Sequence, residues 1–162
     1  MALVGIVRAM TGKAEKLAEA AFRGAQARWG DALEAHRLAP PDAGFSARLA
    51  VLSEAARVEA EACRDAHAAD FAWPPHRASS SKPRYELQPG SGRRGPDELW
   101  APFDGAVAKL NRAATGTDLL AVAEAYAQLG EAAGELAEAV AREDRIGGAR
   151  GRSRDRRSRG AA

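Results

Sequence analysis

The sequence predicts an all-α protein of two antiparallel helical hairpins, which form a four-helix bundle or a coiled-coil-like assembly. Three observations predict this fold. Alanine, the strongest helix former, supplies 40 of the 162 residues. β-branched and aromatic residues never gather in alternating runs, so strand signals are nearly absent. Five of the eight prolines lie within residues 73–96 and separate two alanine-rich halves.

These features divide the chain into four segments. We predict an N-terminal helical hairpin (1–72), a basic Pro/Gly/Ser-rich connector (73–95), a C-terminal helical hairpin (96–146) and a disordered arginine-rich tail (147–162). The length suits one domain, but alanine buries little area, so the core is thin. A thin core is compatible with a partner protein or with self-association as a homodimer, since the fourth helix has more apolar seam than one neighbour need cover.

The first hairpin is predicted from two apolar stripes. The first helix, about 13–37, carries a face formed by Leu17, Ala21, Phe22, Ala25, Trp29 and Leu33. Pro40 and Pro41 end it, and Asp42 is the expected N-cap of a second helix over about 43–70. The stripe of that second helix consists of Phe45, Leu49, Leu52, Ala56 and Cys63. So short a connection makes the two helices antiparallel neighbours.

The second hairpin has the clearest periodicity. The third helix, about 96–114, presents Leu99, Phe103, Val107 and Leu110, and Pro102 should tighten or kink its start. Thr117 is the expected cap of the fourth helix, which Gly147 and Gly148 should end. Its seam repeats at three- and four-residue steps through Leu119, Val122, Tyr126, Leu129, Ala133, Leu136 and Val140. Four glutamates lie off that seam, at Glu124, Glu131, Glu135 and Glu138.

Charge and cysteine content bear on the compartment and the partners. Residues 150–162 hold six arginines and one aspartate, whereas the rest has 18 basic and 21 acidic side chains. The body is thus slightly acidic and the tail strongly basic. The single cysteine excludes an internal disulfide and fits a reducing compartment. No apolar stretch is long enough for a membrane span. We therefore expect a soluble cytoplasmic protein without membrane contact.

Two groups of side chains resemble metal sites, and both have a simpler explanation. Glu59, Cys63, His67 and Asp70 share one face of the second helix and include good zinc ligands. A structural zinc site needs ligands from a second element, so we favour a buried thiol beside a surface histidine. The glutamates of the fourth helix lack the histidines of a di-iron bundle site, so we favour a solvated face. We expect no metal, no cofactor and no catalytic residue.

Arginines supply the candidate binding residues. The candidate contacts to nucleic acid or an acidic partner are Arg77, Lys82, Arg84, Arg93 and Arg94 in the connector and Arg150, Arg152, Arg154, Arg156, Arg157 and Arg159 in the tail. Trp73 and Trp100 bracket the connector, and we favour their anchoring it to the bundle. A solubilising tail without a partner is equally compatible, and 20 arginines against four lysines also fit coding bias.

The sequence thus predicts a class of function rather than a reaction. We expect a non-enzymatic helical module that assembles with itself or docks a partner protein. The alternative is an accessory, regulatory protein that associates with nucleic acid through the connector and the tail. A nucleic-acid binder needs those arginines on one connected face, whereas a protein-docking module leaves them dispersed.

Overall fold

A computed structural model shows an all-α protein that is consistent with a four-helix bundle. It describes residues 2–38, 44–69 and 97–159, with side chains for 12–36, 44–69 and 98–147. This part of the chain contains α1 (Ala2–Leu38), α2 (Phe45–Ala68), a 3₁₀ turn (Asp97–Leu99), α3 (Ala101–Ala113) and α4 (Leu119–Arg159). No strand occurs within these ranges, and the predicted fold class is confirmed.

Helices α1 and α2 form the first antiparallel hairpin. The rings of His36, near the end of α1, and Phe45, at the start of α2, lie 5.3 Å apart. Both helices rise equally per residue, so the end of α2 at Ala68 lies beside about residue 13 of α1. Residues 2–12 of α1 therefore extend beyond α2, over about 16 Å.

Helices α2 and α4 are antiparallel and form the most extensive contact of the bundle. Ser53 Oγ donates a hydrogen bond to the Gly130 carbonyl oxygen at 2.5 Å. Toward the start of α2, the rings of Phe45 and Trp100 lie 5.8 Å apart. Trp100 precedes α3, whose first turn lies beside Glu131 and other residues in the middle of α4. The start of α2 therefore lies beside the later part of α4, so the two helices run in opposite directions.

Helix α3 packs on α4 as the second antiparallel hairpin. Lys109 Nζ donates a hydrogen bond to Glu124 Oε1 at 2.9 Å, near the connecting turn. At the other end of α3, Trp100 is buried and lies edge-on to Phe103, with ring centroids 6.0 Å apart. Trp100 is therefore a core residue, whereas Trp73 and the connector itself lie outside the described residues.

The core follows the predicted stripes except at the start of α1. All seven predicted seam residues of α4 and all five stripe residues of α2 are buried, and the four glutamates off the α4 seam are exposed. Leu17 is 62% exposed and Ala21 is also exposed, so their place on the core face was wrong. The buried face of α1 is instead formed by Phe22, Ala25, Trp29, Ala32 and Leu33, because this is the face that packs against α2.

Both terminal helices are longer than predicted. Helix α1 passes through Gly12, and α4 passes through Gly147 and Gly148 to Arg159, so the predicted helix end at Gly147 and Gly148 was wrong. The segment predicted to be a disordered tail is helical as far as Arg159. Glycine costs a helix about 1 kcal/mol relative to alanine, but it keeps the N–H that proline lacks, so a helix can continue through it.

The helix starts also differ from the sequence-based assignment. Asp118, not Thr117, caps α4: its Oδ1 accepts hydrogen bonds from the backbone N–H groups of Leu120 at 2.9 Å and Ala121 at 3.2 Å. Gly44 precedes α2 without a side-chain cap, and Asp42 lies outside the described residues. The 3₁₀ turn precedes α3, and the α-helix starts at Ala101 rather than at about residue 96, with Pro102 in its first turn, where proline is tolerated.

Candidate functional site

The most unusual side chain of the described core is Glu59 of α2. It is 0% exposed, and neither carboxylate oxygen has a hydrogen-bond partner among the described residues. Burial raises its pKa from 4.5 to about 8, because removing a carboxylate from water disfavours the charged form; the positive charge of Arg28 on α1 opposes this shift. Glu59 is therefore mainly protonated at neutral pH.

Cys63 lies one helical turn after Glu59 and is also fully buried. Burial, together with the nearby Glu59, raises the pKa of its thiol to about 12. The thiolate is the nucleophilic and metal-binding form, so this raised pKa makes Cys63 a weak nucleophile and a poor ligand. A buried group of two ionisable side chains, which repel each other when charged, thus lies on the core face of α2.

The structure separates the predicted zinc-ligand set. Glu59 and Cys63 are buried, whereas His67 is exposed and Asp70 lies outside the described residues. This confirms the interpretation of Cys63 as a buried thiol beside a surface histidine. No cluster of three or more histidine, cysteine or acidic side chains suited to a metal ion is found within the described ranges.

An aromatic cluster closes the end of the bundle where α1 ends and α2 and α3 begin. It consists of His36, Phe45, Trp100 and Phe103, with neighbouring ring centroids 5.3–6.0 Å apart. Burial, with a smaller contribution from the positive charge of Arg48, lowers the pKa of His36. A neutral imidazole packed among aromatic rings stabilises this end of the bundle, and we assign it a structural role.

An open groove of about 350 Å³ lies between the start of α3 and the middle of α4. Pro102, Gly105 and Ala106 form one wall, and Gln128, Glu131, Ala132 and Glu135 form the other. The two glutamates give the groove an acidic character, yet no histidine, cysteine or serine faces it, so it lacks a nucleophile with an adjacent base.

The structure brings none of the predicted binding residues into a described side-chain cluster. Arg77, Lys82, Arg84, Arg93 and Arg94 lie outside the described residues. Arg150, Arg152, Arg154, Arg156, Arg157 and Arg159 belong to the last part of α4 by their backbone. Val140 is the last buried residue of the α4 seam, and each residue from Arg142 to Gly147 is exposed. The arginines of α4 therefore follow a stretch that projects from the bundle.

Glu59 is the residue that sequence reasoning misplaced, since it was considered only as a zinc ligand. Its position carried a signal. Leu52, Ala56, Glu59 and Cys63 follow steps of four, three and four residues, so Glu59 occupies a position of the apolar stripe itself. A glutamate at a stripe position predicts a buried carboxyl, and the structure places it there.

No protein-family model, curated protein or solved structure matches the chain. Among the described residues, no helix combines the length and the apolar character needed to cross a membrane. The functional interpretation therefore depends on the chain's own residues and their arrangement.

Proposed function

We propose that the chain is a non-enzymatic helical module that assembles with itself or docks a partner protein through a helix end that projects from the bundle. The observation that carries this proposal is the length of α1: residues 2–12 continue the helix beyond the end of α2. Helical spacing places four apolar residues, Leu3, Ile6, Val7 and Met10, along one side of this extension.

The relation of α1 to its neighbours supports the proposal. Helix α4 is antiparallel to α2 and begins at Leu119, near the end of α2, so it runs away from residues 2–12. Helix α3 ends at Ala113 on the same level. None of the described helices thus continues alongside this extension. A stripe at steps of three and four residues is the pattern by which one helix packs on another, and a second copy of α1 offers the same stripe.

The described side chains favour docking over catalysis. The buried Cys63 thiol has a raised pKa, the groove between α3 and α4 lacks a nucleophile, and His36 packs in an aromatic cluster. We propose a cytoplasmic location because the single thiol suits a reducing compartment.

Light scattering coupled to size-exclusion chromatography tests the proposal. We expect the full-length chain to be dimeric at micromolar concentration and Ile6→Glu to be monomeric, because a charge within an apolar helix contact opposes association. Gly5→Glu introduces the same charge on the opposite side of the helix and should remain dimeric. A monomeric wild type, or equal behaviour of the two variants, would contradict self-assembly through this stripe.

A second candidate function is association with nucleic acid, and one observation favours it. Helix α4 continues through the arginine-rich segment, so the tail arginines project on one helix beyond Val140. A helix rich in arginine can follow a phosphate backbone or enter a major groove.

Electrophoretic mobility shifts with duplex DNA at 50 and 200 mM salt test this candidate. Six tail arginines that each neutralise a phosphate give a log–log slope of affinity against salt concentration of about −5. Deletion of residues 150–162 should flatten the slope by that amount, and Arg93→Ala and Arg94→Ala should each remove about one unit if they also contact phosphate. No binding by the full-length chain at 50 mM salt eliminates nucleic acid as a partner.

A further inference from the structure

Glu59 lies where α1 packs on α2. The register set by His36 and Phe45 places Glu59 opposite the first buried residue of α1, Phe22. Arg28 of α1 acts on the carboxyl electrostatically, which also locates Glu59 at this contact. The carboxyl is fully buried, and no described hydrogen-bond donor reaches either oxygen. A carboxylate in such a place loses its hydration without gaining a hydrogen bond.

The other charged groups near this level interact with one another or point to solvent. On α1, Arg23, which is exposed, donates a hydrogen bond to the half-buried Glu19. Ser53 of α2 lies opposite Gly130 of the antiparallel α4, so Glu59, six residues after Ser53, lies level with Glu124. Glu124 is exposed and accepts a hydrogen bond from Lys109 of α3.

Two further ionisable side chains lie in the core near this level. The Tyr126 phenol of α4 and the Cys63 thiol of α2 are buried near the same level. Arg28 is thus the cation whose positive charge acts on the Glu59 carboxyl, and its own side chain is exposed to solvent.

We propose that Glu59 is a proton-operated latch, which holds α1 on α2 when its carboxyl is protonated and weakens that contact when it ionises. The contact of α1 is the one that can open alone, because α1 packs mainly on α2, whereas α2 is also held by its extensive contact with α4. Opening of α1 hydrates the carboxylate and exposes the core faces of Trp29 and Cys63. This inference is independent of the proposed docking function.

The direction of the pH dependence follows from the two pKa values. The carboxyl of Glu59 has a pKa of about 8 when α1 is docked and its ordinary value of 4.5 when opening exposes it to water. The docked state therefore binds more protons, and its contribution to stability is full below pH 4.5 and lost as the pH rises to 8. Between these limits the equilibrium constant for docking falls about tenfold per pH unit, and on the order of 50-fold from pH 5.5 to 7.5.

Amide hydrogen exchange, measured by mass spectrometry at several pH values and corrected for intrinsic exchange, tests the latch. We expect protection of residues 22–33 to fall by on the order of 50-fold between pH 5.5 and 7.5, while protection of residues 119–140 changes little. In Glu59→Gln the pH dependence should disappear, because the amide does not ionise. Glu61→Gln alters an exposed glutamate of the same helix and should behave like the wild type.

Three results would overturn the latch. They are protection of α1 that does not depend on pH in the wild type, a pH dependence that survives in Glu59→Gln, and an equal loss of protection in α1 and α4. Glu59→Leu provides a second variant without an ionisable group. It should abolish the same pH dependence even if the glutamine amide disturbs the packing.

Discussion

At the scale of single residues, the contact between α2 and α4 depends on the absence of side chains at two glycines. An added Cβ at Gly130 would lie 2.9 Å from Arg57 Cγ and 3.0 Å from the Ser53 carbonyl oxygen, and one at Gly134 would lie 3.2 Å from Ser53 Oγ. Few real Cβ atoms lie as close as 3.0 Å to a backbone oxygen, so alanine at Gly130 requires Arg57 or the helices themselves to shift. The close approach also allows the Ser53 hydrogen bond to the backbone of α4.

Replacement of Gly130 by alanine should therefore destabilise the fold. We expect Gly130→Ala to lower the free energy of unfolding by about 1–3 kcal/mol, because the helices must move apart or Arg57 must shift. Gly24→Ala provides the matched control, since no atom lies within 4 Å of an added Cβ there. It should raise stability by about 0.5–1 kcal/mol through helix propensity. Urea denaturation followed by circular dichroism measures both, and a stabilised Gly130→Ala would refute the close approach.

The core stripes of α1 and α2 show which buried residues the periodicity of the sequence can predict and which it cannot. Every residue named for the stripe of α2 is buried, because Phe45, Leu49 and Leu52 are large and regularly spaced. On α1, Leu17 precedes the buried Trp29 by twelve residues and therefore lies about 120° around the helix from it, at about 100° per residue. A stripe started at Leu17 and continued by a step of four to Ala21 was therefore drawn beside the core face. Glu59 was missed as a core residue because a charged type at a stripe position was given less weight than its neighbours.

At the scale of elements, the short turn between α3 and α4 is fixed by side chains near the cap. Asp118 accepts two backbone hydrogen bonds at the start of α4, and Thr115 Oγ1 donates to the Arg112 carbonyl oxygen at 2.7 Å, at the end of α3. The carboxylate of Asp118 also lies at the positive end of the helix dipole. This turn sets the register in which Lys109 reaches Glu124.

Loss of the Asp118 cap should weaken the second hairpin. Asp118→Ala leaves N–H groups at the start of α4 without their acceptor and should cost about 1 kcal/mol, or about 0.5–2 kcal/mol over known caps. Thr117→Ala is the matched control, and we expect a change of less than about 0.5 kcal/mol. Thermal unfolding of the two variants distinguishes them. A larger loss of stability in Thr117→Ala than in Asp118→Ala would show that Thr117 caps α4 and would contradict this assignment.

Helix ends were the least predictable elements. Proline gives a physical reason for an end, and the end of α1 before Pro40 was predicted within a residue. Glycine only lowers helix propensity, so Gly12, Gly147 and Gly148 could not decide whether a helix stops or continues. Either Thr117 or Asp118 could cap α4 by residue type, and which of them does so depends on the geometry of the turn.

At the scale of the whole molecule, two helices extend beyond the bundle at opposite ends. Helix α1 continues through residues 2–12 past the end of α2, and α4 continues through the arginine-rich residues 150–159 past the start of α2. The latter runs about 28 Å past the last buried seam residue. The packed parts of the four helices lie between these two extensions. The alanine-rich body was enough to predict a bundle. The apolar residues at one end suit a protein partner and the arginines at the other suit nucleic acid, so the sequence could not distinguish the two.

The central claim is that the chain assembles through residues 2–12, and amide hydrogen exchange at two protein concentrations, about tenfold apart, tests it most directly. We expect residues 2–12 to gain protection at the higher concentration, because a helix contact with a second copy shields their amides. Protection of residues 119–140 should not change, since the bundle itself is not remade. Equal exchange of residues 2–12 at both concentrations, or a gain confined to other helices, would contradict the account.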